Sequence, residues 1–182
     1  MTPKAIYDAL VAHLNDSPAA TSYWDDTAAT NWDARHWTEV MTAALVAAID
    51  QAAAGEPNFI RTARNHPDVY RRCEYLNIDV IGLIDDWSRP CIAIEHENNP
   101  GGPKLRYCLW KLLIVGAPTS VLVCYIDSKG TFGGCFKSSD DLKAALKEVV
   151  DAHPGHSAHL IVGDWNATAA KGWGQVFTLH PL

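Results

Sequence analysis

Residues 73–98, CEYLNIDVIGLIDDWSRPCIAIEHEN, set acidic side chains inside two apolar runs, and the rest of the chain is read outward from that placement. Asp79 lies among Ile78, Val80 and Ile81, while Glu95 and Glu97 follow directly on Ile92-Ala93-Ile94. Extended-type residues fill both runs, Asp85-Asp86 breaks the first, and Asn98-Asn99-Pro100-Gly101-Gly102 ends the second. The pattern predicts strands over Tyr70 to Ile84 and Arg89 to Asn98. Side chains alternate along a strand, so Ile92 and Ile94 share one face and Ala93, Glu95 and Glu97 the other. A short turn around Asp85 to Ser88 makes the two strands antiparallel neighbours and brings Asp79 near Glu95, provided both point to one face. A carboxylate buried there is costly unless it is paired or holds a cation. Three converging acids repel one another, and a hard ion that prefers oxygen, Mg²⁺ or Mn²⁺, is the simplest remedy. The plain alternative is a set of acids on the solvated face of an edge strand.

Upstream, a helix is predicted from Thr38, with Met41, Leu45, Ala48, Ile49 and Ala52 on one face and a stop before Gly55. Asn58 to Ala63 reads as a strand. Before these, Thr2-Pro3 starts a short helix carrying Ile6, Leu10 and Leu14, and Asn15 to Trp37 reads as a surface loop pinned by tryptophans. Downstream, Pro103 opens a helix from Lys104 to Val115 with Leu105, Leu109 and Leu112 as its buried stripe and Gly116 as its stop. Lys104 and Lys111 fall opposite that stripe, on an expected solvated face. Thr119 to Ile126 is almost continuously apolar, as a central strand is. Ser138-Ser139-Asp140-Asp141 caps a further helix, and Ala158 to Val162 and Gln175 to Leu179 read as strands. The alternation predicts one α/β domain over residues 1–182, with a mixed central β-sheet flanked by helices on both faces.

The segment from about Thr38 to Ile126 resembles the PD-(D/E)XK, or restriction-endonuclease-like, superfamily. In that family a helix precedes a three-stranded meander, an Asp lies on the second strand, D/E-x-K lies on the third, and a helix and strand follow. The resemblance implies a restriction-endonuclease-like core, a Mg²⁺- or Mn²⁺-dependent nuclease activity, and Asp79 and Glu95 as metal-binding acids. Glu97 stands where the family lysine belongs. Some members use Glu there, and in others the lysine has moved to the following helix, which makes Lys111, or else Lys104, its counterpart. Asn77-Ile78 replaces the frequent Pro before the Asp, and Pro67-Asp68 precedes the apolar run and is a decoy. Glu39 and Glu74 are minor further acids.

Arg61, Arg64, Arg71 and Arg72 form the only concentrated basic run and are the natural phosphate contacts if a phosphodiester is cleaved; surface ion pairs are the plain reading. The net charge of −6 over 182 residues argues against non-specific coating of nucleic acid, so a DNA or RNA substrate requires such a local patch. A hydrophobic fraction of 48% with 20% charged residues is that of an ordinary globular chain. Five cysteines without a C-x-x-C pair predict a reducing, cytoplasmic setting, and no stretch suggests export or a membrane span. His153, His156 and His159 flank Pro154-Gly155 and do not make a zinc spacing. Two other readings stay open: a catalytically inactive nuclease-like module that binds protein or nucleic acid, and a metal-free hydrolase using two carboxylates. A homodimer is also left open.

Overall fold

Apolar residues recur at helical spacing on both sides of the strands, so the sheet is sandwiched. The computed structural model describes residues 1–27, 33–56, 59–63, 77–84, 89–99, 101–131 and 135–182. Its elements run α1 (Pro3–Asn15), α2 (Pro18–Thr27), α3 (Ala34–Ala52), β1 (Ile60–Ala63), β2 (Val80–Ile84), β3 (Arg89–His96), α4 (Gly102–Val115) and β4 (Thr119–Ile126). Then come α5 (Ser139–Asp151), β5 (His159–Asp164), a 3₁₀ turn (Ala169–Lys171), α6 (Trp173–Val176) and β6 (Phe177–Pro181). The described strands form one sheet in sequence order, β1 to β6. β1, β2 and β3 are antiparallel neighbours, β3, β4 and β5 are parallel, and β6 returns antiparallel. The expected α/β fold with a mixed sheet and helices on both faces is present.

Strand parity divides the core in two. Val80, Ile92, Ile94, Val121, Val123, Tyr125 and Ile161 pack against α1, α2, α3 and α6. Ile81, Leu83, Ala93, Leu122, Cys124, Leu160 and Val162 pack against α4 and α5. β4 is buried along its whole length, as its unbroken apolar run predicts.

Local chemistry sets the helix ends. The Thr2 side chain caps α1 by accepting from the Ala5 amide, Ser138 accepts from the Asp141 amide at the start of α5, and Gly116 closes α4 in the left-handed region at φ 61°. Two expectations fail near the N-terminus. The stretch from Asn15 to Trp37 is not an uninterrupted loop, because Pro18 to Thr27 is helical, with Ser17 Oγ accepting from the Ala20 amide. α3 begins at Ala34 and not at Thr38, because Asp33 caps it by accepting from the amides of Arg35 and His36. Likewise Trp173 opens a short helix, so β6 starts at Phe177, later than Gln175.

The tryptophans do anchor this region, but from inside. Trp24, Trp37 and Trp173 are fully buried with Tyr125 and Phe177. Trp37 and Trp173 are stacked with ring centroids 5.8 Å apart, and Trp24 meets Trp37 at 5.0 Å and Trp165 at 4.9 Å. Their N–H groups are satisfied: Trp24 Nε1 donates to the Ala167 carbonyl at 2.9 Å, and Trp173 Nε1 donates to Thr21 Oγ1 at 3.1 Å. Among the described residues no helix is long and apolar enough to cross a membrane.

Candidate functional site

The antiparallel register of β2 and β3 pairs Val80 with Ile94 and Ile81 with Ala93. Continued by one residue, it sets Asp79 opposite Glu95 on the face covered by α4. Asp79 Oδ2 accepts the His96 amide at 2.9 Å, which fixes that carboxylate against the end of β3. Glu95 is only 2% exposed. Burial, and secondly the charge of Asp79, push its carboxyl up to about 7, against the opposing pull of Lys111.

Lys111 reaches this pair from α4. Its Nζ donates to Glu95 Oε1 at 2.7 Å and to the Asn77 carbonyl at 2.8 Å. The side chain is 8% exposed, so the expectation of a solvated Lys111 is wrong. Helix α4 is covered over a wide arc, with Cys108 and Lys111 buried beside Leu105, Leu109 and Leu112, and the lysine's long apolar stem crosses that arc to put its ammonium on Glu95. Lys104 does sit on the exposed side. Asn77 adopts a left-handed backbone at φ 58°, a conformation Asn tolerates better than most residues. Its carbonyl is thereby one of the two acceptors of the lysine.

Glu97 shares the parity of Glu95 but has other partners. Its Oε1 accepts from the Asn99 amide at 2.7 Å, and its Oε2 lies 3.7 Å from both Lys104 Nζ and Cys108 Sγ. The expected convergence of three acids is therefore corrected: Asp79 and Glu95 come together with Lys111, and Glu97 is held by the first turns of α4 and the loop before it. Among the described residues, no three His, Cys, Asp or Glu side chains are grouped to hold a metal ion. Burial, and after it the charge and hydrogen bond of Glu95, drive the Cys108 thiol well above its ordinary range, which favours the protonated thiol.

Of the arginines, Arg61 lies on β1 with Nε 2.8 Å from Asp50 Oδ1 of α3, a half-exposed ion pair. Arg64, Arg71 and Arg72, like Pro67-Asp68 and Glu74, lie outside the described residues. Glu39 is in an exposed pair with Arg35 at 3.3 Å. His153 is engaged with the Val149 carbonyl at 2.8 Å.

On the opposite face of β3 the structure shows a network not anticipated from sequence. Trp37 Nε1 donates to Tyr125 Oη at 2.7 Å, and Tyr125 Oη lies 2.8 Å from His96 Nε2. Indole nitrogen can only donate, so Tyr125 Oη accepts from Trp37, and the direction of its bond to a neutral His96 follows the imidazole tautomer. Burial drives His96 down to about 3, in keeping with that neutral form. Among the described residues His96 Nδ1 and Asn98 Oδ1 are buried without a hydrogen-bond partner, while Asn98 Nδ2 donates to Thr38 Oγ1 at 2.7 Å. The available signal was parity: His96 follows Ile92 and Ile94 on the core face.

His96 makes a pH test. Its folded pKa lies below the ordinary 6.5, so its contribution to stability is complete above that value and is lost as pH falls from 6.5 towards 3. Relative to His96→Gln, wild type should lose on the order of 2 kcal/mol of unfolding free energy between pH 7 and pH 5. Urea titrations of both proteins at the two pH values read this directly; a constant gap between them would show that the imidazole is protonated in the fold.

Comparison with known proteins adds no assignment: no family model, no curated protein and no solved structure matches the chain.

Proposed function

We propose that the chain is a metal-dependent phosphodiesterase of the nuclease type, acting on DNA or RNA, with Asp79 and Glu95 as metal-binding acids and Lys111 as the basic group beside them. The observation that carries this reading is the buried contact of Lys111 Nζ with Glu95 Oε1 at 2.7 Å, on the carboxylate that the β2–β3 register sets beside Asp79. The order α3, β1, β2, β3, α4, β4, with three antiparallel strands and then a parallel one, supports a restriction-endonuclease-like core. It also supports Lys111 as the displaced counterpart of the motif lysine.

Two carboxylates suit Mg²⁺ or Mn²⁺, which commonly take one or two protein acids and fill the remaining positions with water and substrate phosphate. When bound, such an ion polarises phosphate and lowers the pKa of water. The protein's own part is positioning. The β2–β3 register sets the two acids side by side, and the Asp79 bond to the His96 amide fixes one of them. An ammonium has three protons; two of those on Lys111 go to Glu95 and Asn77, and the third is suited to an oxygen that gains negative charge during hydrolysis.

The buried Glu95–Lys111 pair also favours a second reading, an inactive nuclease-like binding module, because the lysine already satisfies the carboxylate without an ion. Calorimetric Mn²⁺ titration of wild type and Glu95→Ala, with plasmid and single-strand cleavage in the presence and absence of EDTA, separates them. The nuclease reading expects cleavage that EDTA and Glu95→Ala abolish, and Mn²⁺ affinity that rises as pH passes about 7, where Glu95 gives up its proton. Metal binding without cleavage would favour the module, cleavage that survives EDTA a metal-free hydrolase, and neither binding nor cleavage would end the nuclease reading.

A further inference from the structure

Among the described residues, three large apolar side chains stand out on the surface, and all belong to α4: Tyr107, Trp110 and Ile114, which are 48%, 44% and 50% exposed. Their spacing puts them in one stripe along the helix. Tyr107 and Trp110 are stacked on each other, with ring centroids 5.9 Å apart and planes 22° from parallel. The same helix carries Lys104, Arg106 and Lys111 and no acid, in a chain of net charge −6. Cations also sit against the aromatic pair, with Lys104 Nζ 5.8 Å and Lys111 Nζ 5.3 Å from the centre of the Tyr107 ring. Because Lys111 Nζ is at the same time 2.7 Å from Glu95 Oε1, the aromatic pair begins one side chain away from the candidate site.

We propose that the Tyr107–Trp110 face of α4 is a stacking platform for the unpaired bases of a single-stranded nucleic acid, with Lys104 and Arg106 meeting its phosphates. The inference deepens the nuclease reading by naming a substrate class, and rests on it for the choice of nucleic acid over another polyanion. Exposed aromatic faces accept any base, because every base has a π-face, and adjacent cations track the backbone; a duplex keeps those faces stacked inside. A helix with positive charge and no acid in an acidic chain matches the local patch that a nucleic-acid partner needs. Uncharged apolar partners would gain nothing from Lys104 and Arg106.

The test is fluorescence anisotropy of end-labelled oligothymidylate and oligouridylate in EDTA, where hydrolysis is stopped. Wild type should bind both, and Trp110→Ala should weaken binding about tenfold while Trp110→Phe keeps most of it. An abasic strand of equal length should bind wild type about as weakly as oligothymidylate binds Trp110→Ala. Binding is read without turnover, so that a failure of catalysis and a failure of the platform give different results. Equal affinity of wild type and Trp110→Ala, or of abasic and base-bearing strands, would overturn the platform. So would sedimentation showing a wild-type dimer that Trp110→Ala dissolves, since the stripe would then be a contact between two copies.

Discussion

Replacing Lys111 by Met should lower the unfolding free energy by about 3 kcal/mol at pH 8, and by less at pH 6. The lysine is 8% and its partner Glu95 3% exposed, so removing the ammonium leaves a buried carboxylate beside Asp79. Glu95 escapes the charge by keeping its proton. Its folded pKa already stands above the ordinary carboxyl value, so the stability it contributes is complete below that value and is lost as pH rises from 4.5 to about 7. Without Lys111 the same loss extends to higher pH, which is why the variant should suffer most in alkali. The pair Glu95→Leu with Lys111→Met should recover much of the loss, because a buried ion pair exchanged for apolar groups of similar size is often neutral or better. Urea unfolding at pH 6 and pH 8 measures all of these. A Lys111→Met variant as stable as wild type at pH 8 would mean that the ammonium reaches water and not the carboxylate.

Trp37→Ala should cost about 3–5 kcal/mol, because it empties the centre of the aromatic cluster as well as deleting a hydrogen bond. The indole is fully buried between Trp24 and Trp173 and its N–H is 2.7 Å from Tyr125 Oη. Trp37→Phe is the milder change, since it keeps part of the ring contact and loses the donor and some packing; about 2 kcal/mol is expected. In a cycle with Tyr125→Phe the two losses should not add, because one hydrogen bond is counted in both single variants. Additive losses would mean that the N–H finds another acceptor.

Residues that follow a period were legible in the sequence. The apolar stripe of α4, its Gly116 stop and the unbroken run of β4 locate both elements within a residue or two, and alternation along Ile92 to Glu95 gives the correct face for Glu95. The pairing of Asp79 with Glu95 followed from a short connection between two strands. What failed depended on chemistry outside the period. α2 is rich in Ser, Thr, Asp and Pro, a composition that resembles a loop, and its Trp24 is surrounded by five other aromatic rings from other segments. Lys111 was assigned to water by its angle around the helix, which ignores the reach of a four-carbon side chain towards a buried acid. Glu97 was placed with Glu95 by parity, and parity cannot show that a loop amide and a neighbouring lysine claim it first.

β3 serves two clients with consecutive residues: Glu95 turns to the lysine of α4, and His96 turns to the tyrosine of the aromatic cluster. An inserted or deleted residue between Arg89 and Ile94 would swap them, sending a carboxylate among the indoles and an imidazole against the ammonium. Point changes along this strand can be absorbed one at a time, whereas a change of length would spoil both halves of the molecule at once. In a random indel library selected only for folding, this octapeptide should therefore return with its length intact even where its letters vary.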